Sequence, residues 1–144
     1  MRKRFITSIM VLFMLCASTL YAQTGTLTVT VNRIDAEKGG KVNIGIYDAK
    51  GFPEIGKQLH GIDLDINGPS ATYVFKDIPV GKYAIAVFQD ENMDGKLNKN
   101  IMGIPKEPYG FSKNKYGMFG PPKFKDVSFE VTKESPVLLT INLK

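Results

Sequence analysis

The chain has 144 residues, with 19 lysines and arginines against 14 acids, 43% apolar residues, one cysteine, one histidine and no tryptophan. That length suits a single domain with a genuine core. One cysteine excludes an internal disulfide and a thiolate metal cluster, one histidine excludes a multi-histidine metal site, and any Ser-His-Asp arrangement would have to use His60.

Arg2, Lys3 and Arg4 precede an apolar run from Phe5 to Leu20, and the small residue Ala22 follows before Gln23. This is the layout of a secretory signal peptide over residues 1–22, cleaved after Ala22. The alternative is a signal anchor, which needs the ~20 apolar residues of a spanning helix, more than this run offers. Cys16 follows the bulky Leu15 rather than the small residue that precedes a lipoprotein cysteine. Removing residues 1–22 takes away three basic residues and no acid, leaving 16 basic and 14 acidic residues, a net charge of +2. So small an excess gives no reason to expect nucleic acid as a partner, and no later segment is long enough to span a membrane. The expectation is an exported protein, periplasmic or extracellular, with one domain over residues 23–144.

From Thr26 to Arg33, Leu27, Val29 and Val31 alternate with Thr28, Thr30 and Asn32, the pattern of a half-buried strand. A charged turn ending in Gly39-Gly40 leads to a second alternating run with Val42, Ile44 and Ile46 on one face, and the two are expected to form a hairpin. Gly51-Phe52-Pro53 opens an irregular connection to about His60. Ile62, Leu64 and Ile66 then alternate, and after Gly68-Pro69-Ser70 the pattern resumes at Tyr73 and Phe75, which predicts another hairpin. Asp77-Ile78-Pro79-Val80-Gly81 is a turn in which proline presets φ and glycine can take φ > 0. The run from Lys82 to Gln89 is apolar on both faces, Tyr83, Ile85 and Val87 on one and Ala84, Ala86 and Phe88 on the other, so both need cover. The facing sheet supplies one cover. The long segment that follows, with Met102, Ile104, Tyr109, Phe111, Met118 and Phe119, is the natural second, and it is therefore expected to be packed and ordered. Val127, Phe129 and Val131, then Val137, Leu139, Ile141 and Leu143, complete seven segments with no helical periodicity. The prediction is an all-β, single seven-stranded antiparallel β-sandwich with one long ordered loop at about residues 90–123.

Phe75, Asp77, Ile78, Pro79, Gly81 and Tyr83, followed by Asp90, Glu91, Asn92, Gly95, Gly103, Ile104, Pro105, Tyr109, Gly110, Phe111, Ser112, Gly120, Pro121 and Pro122, resemble the secreted bacterial family of domain of unknown function 2141. The resemblance covers essentially residues 23–144 and implies a small extracytoplasmic β-sandwich of no established activity. The turn from Phe75 to Tyr83 is also similar to that of transthyretin-like domains, so an immunoglobulin or transthyretin-like sandwich is expected.

Asp90, Asn92, Asp94, the Lys96 carbonyl and Asn98 place oxygens at alternate positions around Gly95, as a calcium loop does. They supply about five of the 6 to 8 oxygens calcium prefers. The twelfth position, where an EF-hand has glutamate, is Ile101. Water, or an acid brought near by folding such as Glu107 or Asp48, would have to complete the shell, and binding would be weak, with a Kd on the order of 10⁻⁴ to 10⁻³ M. The competing reading is a polar turn in which these side chains hold backbone amides. Between Lys96 and Lys125 stand seven lysines and one acid, Glu107. Together with Tyr109, Phe111, Lys113, Tyr116 and Phe119 they suit an anionic glycan, unless the aromatics are the segment's own core. Asp63 and Asp65 lie about 7 Å apart by strand rise, a glycosidase-like spacing that any exposed alternating face produces. The reading that follows is a non-catalytic binding or structural module of the cell envelope, its partner an envelope protein or anionic glycan and its one conceivable cofactor calcium. A glycan-active enzyme, and a subunit adding a strand to a larger assembly, are the alternatives.

Overall fold

The computed structural model describes residues 22–144, so all but the last residue of the expected signal peptide lies outside it. Strands are β1 (Thr24–Asn32), β2 (Lys41–Tyr47), β3 (His60–Asp65), β4 (Ser70–Pro79), β5 (Gly81–Asp90), β6 (Tyr109–Phe111), β7 (Phe129–Val131) and β8 (Val137–Asn142). A 3-10 turn at Ser112–Asn114 and a one-turn helix α1 (Phe124–Val127) complete the list. No helix among the described residues is long and apolar enough to cross a membrane.

Alternation decides which side chains meet. Leu27, Val29 and Val31 of β1 join Val42, Ile44 and Ile46 of β2, Ile85 and Val87 of β5 and Ile141 of β8 in one buried cluster drawn from two sheets. Each such side chain contributes about 1.5–3 kcal/mol by leaving water. One sheet has the order β4-β1-β8 and the other β3-β2-β5-β6, with β7 also on β5.

The structure corrects three expectations. There are eight strands rather than seven, the extra one being β6, cut from the long segment. The sheets are not wholly antiparallel, because β1 runs parallel to β8, pairing Leu27 with Val137 and Ile141 with Val31. Neither expected hairpin forms: β1 pairs with β4 and β8 while β2 pairs with β3 and β5. Both connections, Arg33–Gly40 and Ile66–Pro69, instead carry the chain from one sheet to the other. An alternating strand states which face is apolar and nothing about its neighbour, so an arch between sheets and a hairpin within one look alike in sequence.

Gln89 fixes the first of these arches. It continues the inward face of Tyr83, Ile85 and Val87 and is fully buried, yet every polar atom is used. Its Nε2 donates to the Asp35 and Gly39 carbonyls at 2.8 and 2.9 Å, and its Oε1 accepts from the Asp35 amide at 3.0 Å. The turn approaches so closely that a Cβ on Gly40, where φ is +82°, would run into the Asp90 carbonyl.

The free edge of β5 is shared by two short strands, with β7 opposite Gly81–Tyr83 and β6 opposite Ala86–Phe88. Between them the Ile85 amide has no strand partner. Ser112, fully buried, fills that gap: its Oγ accepts from Ile85 N at 3.0 Å and donates to Val127 O at 2.7 Å. The same segment reaches across to the other sheet. Tyr109 and Lys144 exchange backbone hydrogen bonds at 3.1 and 3.3 Å, and the Asn114 amide clasps β8 through Thr140 O and Asn142 N at 2.9 and 2.7 Å.

Candidate functional site

The segment between β5 and β7 has two halves of opposite character. Its second half covers β5 as the apolar alternation requires. Phe111, 6% exposed, joins Ala84 and Val127 in a second buried cluster, with Phe52, Tyr109, Tyr116 and Phe124 packed around it. The Phe111 ring meets Phe52 and Tyr116 edge-on at 5.7 and 6.1 Å, a favoured geometry for aromatic pairs. Lys144 Nζ sits 4.3 Å from the Tyr116 ring centroid, and the Tyr116 hydroxyl donates to Asn142 O at 2.7 Å. Of the residues considered for a ligand, Phe111 therefore has no face to offer, Tyr109 and Tyr116 are half-buried, and Lys113 is exposed. Phe119 is 97% exposed. Tyr116 and Phe119 line an open groove of about 440 Å³ with Lys115, Lys123 and Asp126, and Phe111 and Lys113 stand outside it.

The first half, residues 91–108, is a finger. Its base is held by two buried carboxylates. Asp90 accepts from the Asp94 and Gly95 amides at 3.1 and 2.8 Å, and Glu107 accepts from the Glu91 and Asn98 amides at 3.0 and 2.8 Å. Above them, Lys99 and Pro105 form an antiparallel bridge, and Lys106 N donates to Asn98 O at 2.8 Å. The tip is a turn capped by one side chain: Asn100 Oδ1 accepts from the Met102 and Ile104 amides at 2.9 and 3.0 Å. Gly103, at φ +78°, takes the left-handed conformation that glycine adopts without strain.

The side chains on this rigid support point outward. Ile101 is 105% exposed, Met102 78% and Ile104 54%. The expectation that Met102, Ile104, Met118 and Phe119 would cover β5 is thus not met. Phe52, from the distant connection after β2, and Phe124, from α1 at the end of the same segment, take that place.

The proposed calcium ligands do come together, largely engaged with the chain's own donors. Asp94 Oδ1 accepts from Lys96 N at 2.9 Å, and its Oδ2 accepts from the Asn98 and Asn92 side-chain amides at 3.0 and 3.1 Å. Asn92 Oδ1 accepts from Asp94 N at 3.2 Å. The Asn98 amide, first among these donors, holds the Asp94 carboxyl below its ordinary value of 3.8, against an opposing effect of burial. Glu107 reaches this loop, whereas Asp48 caps its own turn beyond the far end of β2 through the Lys50 and Gly51 amides. Asn98 Oδ1 is buried with no hydrogen-bond partner. Among the described residues no three acidic, histidine or cysteine side chains gather as a metal cluster would. His60 is exposed on β3. Asp63 and Asp65 are occupied by Asn43 at 2.7 Å and Lys41 at 3.3 Å across the β2–β3 pair.

Gln89 and Ser112, which pin the arch and close the edge of β5, had one sequence signal between them: Gln89 lies in register with a core face. The family model described as "Uncharacterized protein conserved in bacteria (DUF2141)" matches residues 29–138. No curated protein and no solved structure matches the chain.

Proposed function

We propose, from the premise that this chain belongs to the DUF2141 family of uncharacterised bacterial proteins, that it is an exported, non-catalytic binding module of the cell envelope. Its two sheets form a sandwich of the immunoglobulin or transthyretin-like kind, and the finger at residues 91–108 is its contact element. One observation carries this reading. Buried Asp90 and Glu107 spend their carboxylates on holding a loop whose Ile101, Met102 and Ile104 stay exposed. Exposed apolar clusters rimmed by polar groups mark interaction sites, and rigid support lowers the entropy lost on binding. Intact-mass analysis and fractionation of cells expressing residues 1–144 test it. A chain starting at Gln23 in the envelope or medium is expected. A cytoplasmic chain that retains the residues before Gln23 would overturn the export reading.

A second reading, a weak calcium site, is favoured by the unpartnered Asn98 Oδ1, whose side chain also touches Asp94. A bound ion stabilises the folded state by mass action. The Tm of residues 23–144 is then expected to rise in millimolar calcium over chelator, with no equal rise in magnesium. Asp94→Ala should remove the effect, and an unchanged Tm would mean that the acidic run is a turn.

A further inference from the structure

We propose that the finger is a wedge that docks on bilayers containing anionic phospholipid, with Ile101, Met102 and Ile104 entering the interface and lysines engaging the headgroups. This deepens the reading of the finger as a contact element and names its partner. The tip is a turn held by Asn100, and its three apolar side chains are exposed, Ile101 more than any other large hydrophobic of the described residues. A projecting tip does not fill a hydrophobic pocket of its own, and three aliphatic side chains fall well short of the roughly 800 Å² per partner that a stable protein interface buries. A bilayer asks for less, because a few apolar groups at the headgroup boundary and nearby cations add their effects.

Charge selects the kind of bilayer. From Lys96 to Lys106 the sequence holds three lysines and no acid, and all three are exposed. Lys99 is in the Lys99–Pro105 bridge below the tip and Lys106 follows Pro105 on the returning arm, and none of the three takes part in a salt bridge among the described residues. The acids lie at the base: Asp90 and Glu107 bind amides, and Glu91 pairs with Lys38 at 3.0 Å. Exposed Asp94 holds the Lys96 amide and offsets the charge of Lys96, leaving Lys99 and Lys106 as the cations nearest the tip. The far end of the finger is therefore cationic around an apolar centre, and long lysine side chains can lie along the interface with their ammonium groups in water.

The natural chain has no tryptophan, so Ile101→Trp in residues 23–144 gives a single reporter at the tip. With vesicles of phosphatidylglycerol and phosphatidylcholine, its emission should shift to the blue. With phosphatidylcholine alone, or in high salt, the shift should largely vanish. Lys99→Glu with Lys106→Glu, and separately Ile101→Asp with Met102→Asp, should each lower vesicle binding about tenfold or more in co-sedimentation. These side chains are exposed, so the variants should keep the parent's Tm and circular dichroism. Emission unchanged by vesicles would overturn the proposal, as would equal binding to both vesicle types. So would self-association in sedimentation velocity that Ile101→Asp abolishes while vesicles leave emission unchanged, because a second copy would then be the occupant. None of these outcomes depends on where the protein resides in the cell, so they separate the lipid proposal from the export reading.

Discussion

Phe111→Ala is expected to lower the unfolding free energy by about 3–5 kcal/mol, the usual cost of removing a large buried aromatic. Its ring is the centre of the second buried cluster, touching Phe52, Tyr109 and Tyr116 edge-on. Alanine would leave a cavity walled by other aromatics, which relax poorly. The backbone adds to the cost, since Phe111 pairs with Ala86 at the end of β6 and is followed by Ser112, whose hydroxyl serves Ile85. Denaturant titration of the wild type and variant gives the difference directly. A loss under about 0.5 kcal/mol would place Phe111 with surface residues and reopen the segment as a stacking platform.

Glu107→Ala comes next, with an expected loss of about 2–4 kcal/mol, because two amides would lose a charged acceptor in a partly buried setting. The damage should be local at first. Residues 91–108 contribute no side chain to either buried cluster, so the finger can open while the sheets stay folded. Hydrogen exchange should show the Glu91 and Asn98 amides losing protection well before those of β2 and β5. Glu107→Gln keeps an acceptor and should lose less. If both variants exchange like the wild type, Glu107 does not hold the finger.

Much of the fold could be read from alternation. Leu27, Val29 and Val31, or Val42, Ile44 and Ile46, announce a strand and its inward face, and those side chains are the ones buried. Pairing was not readable in this way. The parallel contact of β1 with β8 joins residues more than a hundred positions apart, and the two arches follow no rule that distinguishes them from hairpins.

The site divides similarly. That Tyr109 and Phe111 would cover β5 followed from β5 being apolar on both faces. That Phe119 and Met102 would not cover it depended on Phe52 and Phe124 arriving first, which periodicity does not encode. The oxygen spacing from Asp90 to Asn98 suits an ion or a set of amides equally well, because both want closely spaced acceptors. Only the folded arrangement displays the amides that those oxygens hold.

The parallel β1–β8 pair also bears on when the protein can fold. β1 is the middle strand of its sheet, and it is synthesised well before β8, its second neighbour. Contacts that close so long a loop form slowly. Until β8 emerges, β1 has one flank unpaired and the buried cluster lacks Ile141. The topology itself therefore postpones completion of this sheet until β8 is available.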